Sequence, residues 1–240
     1  MNFRSLFTIV AINYSKNAYL CTMYSDSEII KSHTGIDALF SREWSHITML
    51  HEGRYYVVHR AMRMGQWFVL KSVKPGCDNR ALHESLLLKE FNLGFGVRHN
   101  CIVRMLAMEE VDGLGQCIVM DYVDGETLDQ VIAQNSISME QAVGIVNDLC
   151  QALEYLHSRQ MVHRDVKPHN IIVDPQHRHA VLIDLGLADS SNYAMLKMPA
   201  GTRQYIAPEC AGEGITDALG DIYSLGVVVS EMSRCVSGSG

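Results

Sequence analysis

Hydrophobic and polar positions change their spacing several times along the chain, and each change predicts an element. Residues 1 to about 44 mix Tyr, Ser, Asn and apolar residues without a sustained period, although Ile9 to Ile12 has strand character. From Ile47 to Val73 the chain turns to short runs of Val, Tyr, Trp and Phe, Tyr55 to Val58 and Trp67 to Val73, broken by Gly53, Gly65 and Pro75-Gly76. Such runs between turn residues predict antiparallel strands. Asn79 to Leu93, rich in Leu, Lys and Glu, predicts a helix. Ile102 to Met108 and Gln116 to Tyr122 predict further strands around the Asp112-Gly113 turn.

The second half is mainly helical. Ser138 and Gln141 form a capping-box signature, and Ala142, Val146, Leu149, Leu153 and Leu156 then recur at helical steps, predicting a long helix that ends near Ser158. Asn170 to Val173 and Ala180 to Ile183 are short β-like runs around Asp174-Pro175, and Ile222, Leu225, Val229 and Met232 form an apolar stripe on another helix. Ser237 to Gly240 has the composition of a flexible end.

Composition narrows the class. The chain has 240 residues, 48% of them hydrophobic, enough to bury a substantial core. A formal net charge of -7 and scattered basic residues give no footprint for nucleic acid. Seven cysteines without a C-x-x-C pair match reduced, cytoplasmic usage. The apolar stretch Leu6 to Ile12 is too short to span a bilayer, so no membrane partner is expected.

Candidate chemistry lies in the second half. In His163-Arg164-Asp165-Val166-Lys167-Pro168-His169-Asn170, an Asp stands five residues before an Asn, between a long helix and a strand. Asp165 can accept the proton of a hydroxyl, and Asn170 offers a neutral oxygen to magnesium. Lys167 can neutralise charge in the same space, and Asp184, after Ala180 to Ile183, supplies a second metal-binding carboxylate.

These residues resemble those of eukaryotic-type Ser/Thr protein kinases. Asp184-Leu185-Gly186 stands where the family has Asp-Phe-Gly, Ala207-Pro208-Glu209 matches Ala-Pro-Glu, and Gly201-Thr202-Arg203-Gln204-Tyr205 precedes it as in Ser/Thr-directed members. Asp221, in Asp-Ile-Tyr-Ser-Leu-Gly, matches a buried aspartate that tethers the catalytic loop. Phe68-Val69-Leu70-Lys71 resembles the Val-Ala-Ile-Lys strand. The resemblance makes Lys71 the partner of the α- and β-phosphates and Glu90, 19 residues on, its helix partner, with Glu84 as the rival. Met120 with Asp121-Tyr122-Val123 resembles the adenine-binding hinge, and Gly53, Val58, Val69 and Ile172 complete the expected nucleotide contacts.

The resemblance implies an α+β, two-lobed fold: an antiparallel sheet plus one helix over residues 45–120, and a mainly helical, incomplete lobe over 121–236. An extension of unknown role occupies 1–44 and a flexible end 237–240. It further implies ATP and Mg2+, phosphoryl transfer to protein Ser/Thr hydroxyls, and contact of Thr202 with Asp165 at the acceptor site.

The sequence also departs from the family. Aligned on Val58, the glycine-rich loop reads His51-Glu52-Gly53-Arg54-Tyr55-Tyr56-Val57-Val58, with only its middle glycine kept. Side chains at His51 and Tyr56 are expected to hinder close approach of backbone N–H groups to phosphates, weakening ATP affinity. Leu185 for Phe is a mild change. The chain stops after the helix carrying Asp221, where the family continues, so an arginine partner for Glu209 is missing and an apolar face is left to self-associate. A catalytically silent binding module is the rival from another class. A small-molecule kinase of the aminoglycoside type is disfavoured by Ala207-Pro208-Glu209 and the Gly201 to Tyr205 segment. His163 is expected to be a scaffold residue, and His177 with His179 a solvated turn rather than a metal pair. Ser190, Ser191 and Tyr193 are either plain loop residues or sites where an activating phosphate pairs with Arg164.

Overall fold

The computed structural model describes residues 10–14, 17–21, 43–135, 137–176, 178–185, 189–190, 203–208, 210 and 217–236, with side chains from 43 onward except at 189–190 and 203. Thr202, Glu209, Gly186, Gly201, His177, Ser191, Tyr193 and the side chain of Ser190 lie outside this set.

A short hairpin, β1 (Val10–Tyr14) with β2 (Asn17–Cys21), opens the described chain. Its first strand overlaps the expected one. The main sheet is five-stranded and antiparallel throughout, with β3 (Ser45–Glu52), β4 (Tyr56–Arg63), β5 (Gln66–Val73), β7 (Gly115–Asp121) and β6 (Met105–Val111) side by side in that order. Period-two alternation gives it two buried faces: Ile118 and Met120 turn to the main core, Cys117 and Val119 to a smaller cluster with Ala61, Leu70 and Val111.

Two strand boundaries differ from the sequence pattern for identifiable reasons. β4 runs on to Arg63 despite His59, Arg60 and Arg63, because Arg60 lies 4.2 Å over the Trp67 ring and Arg63 4.0 Å over Trp44 while pairing with Glu109. β6 starts at Met105 rather than Ile102, because residues 101–103 are paired elsewhere: Val103 N donates to Leu182 O and Leu182 N to Cys101 O.

Helix α1 (Arg80–Gly94) packs against the sheet. Beyond β7 the chain passes Gly125 into β8 (Glu126–Thr127), α2 (Leu128–Ala133) and the long α3 (Met139–Ser158), whose capping box at Ser138 and Gln141 forms as expected. Then come β9 (Met161–Val162), a 3-10 turn at Pro168–Asn170, β10 (Ile171–Val173), β11 (Ala180–Leu182), β12 (Asp189–Ser190), a second 3-10 turn at Arg203–Tyr205 and α4 (Ala218–Cys235). β10 pairs antiparallel with both β8 and β11.

α4 buries only part of its expected stripe. Leu225 and Met232 face the core beside Val228, but Ile222 and Val229 are exposed. The helix is instead turned by Asp221 and Ser224, whose polar side chains point inward; Ser224 Oγ donates to Tyr205 O at 2.7 Å. No helix among the described residues is long and apolar enough to cross a membrane.

Gly125 is a position where glycine is required. It has φ +149° and a Cβ there would stand 2.1 Å from Val173 O, a backbone atom that cannot step aside cheaply. Gly125→Ala is expected to destabilise the chain by at least ~1–2 kcal/mol. Thermal unfolding checks this; an unchanged midpoint would contradict it.

Candidate active site

A cavity of about 550 Å3 lies between the five-stranded sheet and the helical part. Leu50, His51, Val58, Val69, Lys71, Met120 and Asp121 line it from the sheet, Tyr122 and Val123 from the segment that follows, and Lys167, Asn170, Ile172 and Asp184 from the opposite side. Sheet register explains the first group. Val58 pairs with Lys71 and Val69 with Met120, so one face of three adjacent strands looks into the cavity.

Lys71 is 6% exposed and stands between two carboxylates. Its Nζ donates to both Glu90 oxygens at 2.8 Å and to Asp184 Oδ1 at 2.7 Å. Burial alone would lower the Lys71 ammonium, but the charges of Asp184 and Glu90 outweigh it and hold it above its ordinary value. Burial also pushes the Glu90 carboxyl up, against the pull of Lys71, to about 7. The ammonium is thus held charged beside a carboxyl that burial makes easier to protonate. Glu84, the rival partner, is on the exposed side of α1 and pairs with Arg80.

The opposite wall is organised by one buried aspartate. Asp221, 0% exposed on α4, accepts from His163 N and Arg164 N at 2.8 Å each, and its Oδ2 lies 2.8 Å from His157 Nε2. These bonds hold Arg164 at φ +70°, a left-handed conformation that costs a non-glycine residue about 1–3 kcal/mol. The bend brings Asp165, itself not a lining residue, beside Lys167 and Asn170, which line the cavity. There Asp165 Oδ2 is 2.7 Å from Lys167 Nζ and accepts from Asn170 Nδ2 at 2.9 Å. Asn170 Nδ2 also donates to the Asp165 carbonyl, so its amide oxygen remains as a donor atom suited to a hard cation. Asp184, with φ +66°, presents a second oxygen donor across the same space. The residues present therefore fit a magnesium ion. His163 is fully buried and its Nδ1 accepts from Asp165 N at 3.3 Å.

Of the residues singled out in the sequence, the structure brings Lys71, Val58, Val69, Met120, Asp121, Val123, Lys167, Asn170, Ile172 and Asp184 to the cavity lining. Glu90 sits behind Lys71 and Asp221 beneath the loop. Gly53 is not among the lining residues; its N–H donates to Tyr56 O at 2.8 Å and closes the β3–β4 turn. Tyr56 corrects an expectation: its side chain leaves the cavity and reaches α1, where its hydroxyl donates to His83 O at 3.3 Å. His179 is no free turn residue, since its Nδ1 lies 2.8 Å from Asp148 Oδ2. Sequence reasoning missed His51 against His169, two lining residues with ring centroids 5.2 Å apart, and Asp129, 3.5 Å from His169. No local pattern joins residues so far apart in the chain.

The model of the family described as "Protein kinase domain" matches residues 44–236. The Serine/threonine-protein kinase PknB of Mycobacterium leprae is 40% identical over 119 residues, 48% of this chain and 19% of that protein. The Serine/threonine-protein kinase TIO of Arabidopsis thaliana is 31% identical over 191 residues, 78% of this chain and 14% of that protein. PrkC of Bacillus subtilis, also a serine/threonine-protein kinase, is 35% identical over 138 residues, 56% and 21% respectively. The chain thus spans about a fifth or less of the length of these relatives. With the match running through both walls of the cavity, the chain belongs to the protein kinase domain family.

Proposed function

We propose that the chain transfers the γ-phosphoryl of ATP to Ser or Thr hydroxyls of proteins. The observation that carries this is the meeting, around one cavity, of the Lys71–Glu90–Asp184 trio and the Asp165–Lys167–Asn170 cluster. Val58, Val69 and Ile172 supply apolar contacts for the adenine, and Met120 to Val123 the backbone groups beside it. Lys71, held by Glu90, binds the phosphates. Asp165 orients the acceptor hydroxyl and takes its proton, and Lys167 offsets charge on the transferred group. Asn170 and Asp184 would hold magnesium, which when bound offsets negative charge on the phosphates. Residues 45–120 and 121–236 act as the two lobes, and the resemblance assigns Thr202 an acceptor-side role and Glu209 a structural one. Among the described side chains, Cys77, Cys101, Cys117, Cys150 and Cys235 are free thiols, which suits a cytoplasmic setting.

The test is transfer of labelled phosphate from ATP to a generic basic protein and to the chain itself. Label is expected on Ser or Thr with magnesium, falling to background when the metal is chelated. Nucleotide binding by a well-folded chain without any transfer would favour the silent binding module.

A further inference from the structure

Helix α1 is poorly specified by its own sequence. Its N-cap, Asn79, has φ +53° and makes no side-chain cap bond; the first turn carries no acidic residue and the last no basic one. Its burial pattern is mixed: Leu82 and Leu88 are 54% and 50% exposed, while His83 and Glu90 are buried beside Leu87. Leu87, with Phe91 and Leu93 packed against the core, supplies only part of what sets which face of α1 meets the sheet. Yet that rotation decides whether Glu90 reaches Lys71.

Two tyrosines from the β3–β4 hairpin fill this role. The Tyr55 ring stacks on His83 with centroids 4.0 Å apart and planes 19° from parallel, and Tyr56 meets the same ring edge-on at 5.8 Å. Tyr56 Oη also donates to the His83 carbonyl at 3.3 Å, and Lys71 Nζ stands 5.2 Å from the Tyr56 ring centroid. His83 Nδ1 is buried without a hydrogen-bond partner, so ring contacts hold that imidazole. His83, Leu87, Glu90 and Gly94 are the buried residues of α1, one stripe at helical spacing, so fixing His83 fixes the direction of Glu90 two turns on. Burial pushes the Tyr56 phenol up to about 12, which keeps its hydroxyl a neutral donor.

We propose that Tyr56, helped by Tyr55, is a positioning residue that clamps His83, sets the rotation of α1 and so assembles the Lys71–Glu90 pair before nucleotide arrives. The hairpin that in the resembling family approaches the phosphates through glycines is here fastened to the helix through a side chain. The inference rests on the proposed phosphate-binding role of Lys71, but its structural half is measured without turnover.

Amide hydrogen exchange on the full chain without nucleotide is the first readout, comparing wild type, Tyr56→Phe and Tyr56→Leu. Tyr56→Leu removes ring and hydroxyl together and is expected to speed exchange within residues 82–91 roughly tenfold while α3 is unchanged; Tyr56→Phe recovers much of the loss. Where the chain transfers phosphate, the apparent Kd for ATP rises by a similar factor with kcat little altered, because fewer molecules hold the competent arrangement. His83→Ala removes the same contacts from the helix side and must reproduce the effect, which keeps the test decisive should Tyr56→Leu fail to fold. Unchanged exchange in α1, or an equal rise in α1 and α3, would overturn the clamp. A wild type that transfers no phosphate refutes the functional reading and leaves the exchange result to judge the clamp alone.

Discussion

Asp165→Asn is expected to lower the phosphoryl-transfer rate by about 10²–10⁴, the usual contribution of a positioned general base. The carboxylate sits where Lys167 Nζ and Asn170 Nδ2 converge on one oxygen, Oδ2. An amide of the same size cannot take up the acceptor's proton, although its oxygen can still accept from both donors. Folding should survive, because the Asp165 carbonyl still accepts from Asn170 and the loop's bend is fixed by Asp221. ATP binding should survive as well, since Lys71 and Glu90 lie on the other wall. The measurement is kcat with magnesium and a Ser/Thr-containing protein, at folding matched by circular dichroism. A variant that keeps the wild-type rate would remove Asp165 from the chemistry.

Local features of the chain were legible in proportion to how local their causes are. The capping box at Ser138 and Gln141 and the Asp174-Pro175 turn between β10 and β11 each depend on a few neighbouring residues, so pattern alone placed them. Asp165, Asn170 and Asp184 stand out because their types and spacing carry a chemical demand, and Lys71 through the resemblance of Phe68-Val69-Leu70-Lys71 to the family's strand. Glu90 was separable from Glu84 by spacing, and the structure adds the reason: helix phase turns Glu90 inward and Glu84 toward Arg80. What stayed hidden depends on pairing across long stretches. Residues 101–103 join Leu182 instead of β6, α4 is rotated by Asp221 and Ser224 rather than by its apolar stripe, and Tyr56 chooses His83 over the cavity. In each case a tertiary hydrogen bond or ring contact outweighs the local preference. Thr202 and Glu209 fall outside the described residues, so their expected places rest on the resemblance.

Asp221→Ala should produce the largest loss of stability. The carboxylate is fully buried and takes the N–H groups of His163 and Arg164, with His157 Nε2 at the same oxygen that His163 uses. Alanine leaves two buried backbone donors unsatisfied at about 1–3 kcal/mol each, for a total of roughly 3–5 kcal/mol once the His157 contact is included. That is a large share of the 5–15 kcal/mol or so typical of a folded domain. Arg164 would also be released from its φ of +70°, letting Asp165 drift from Lys167 and Asn170. Stability and transfer should therefore fall together, in contrast to Asp165→Asn, which should separate them. Asp221→Asn keeps one acceptor oxygen but turns a donor toward the remaining N–H, so its denaturation midpoint should lie between wild type and Asp221→Ala. Urea unfolding with an unchanged slope and a lowered midpoint checks the order. If Asp221→Ala matched wild type in midpoint, the loop would have to be held by contacts other than this carboxylate, and the positioning of Asp165 would need a different cause.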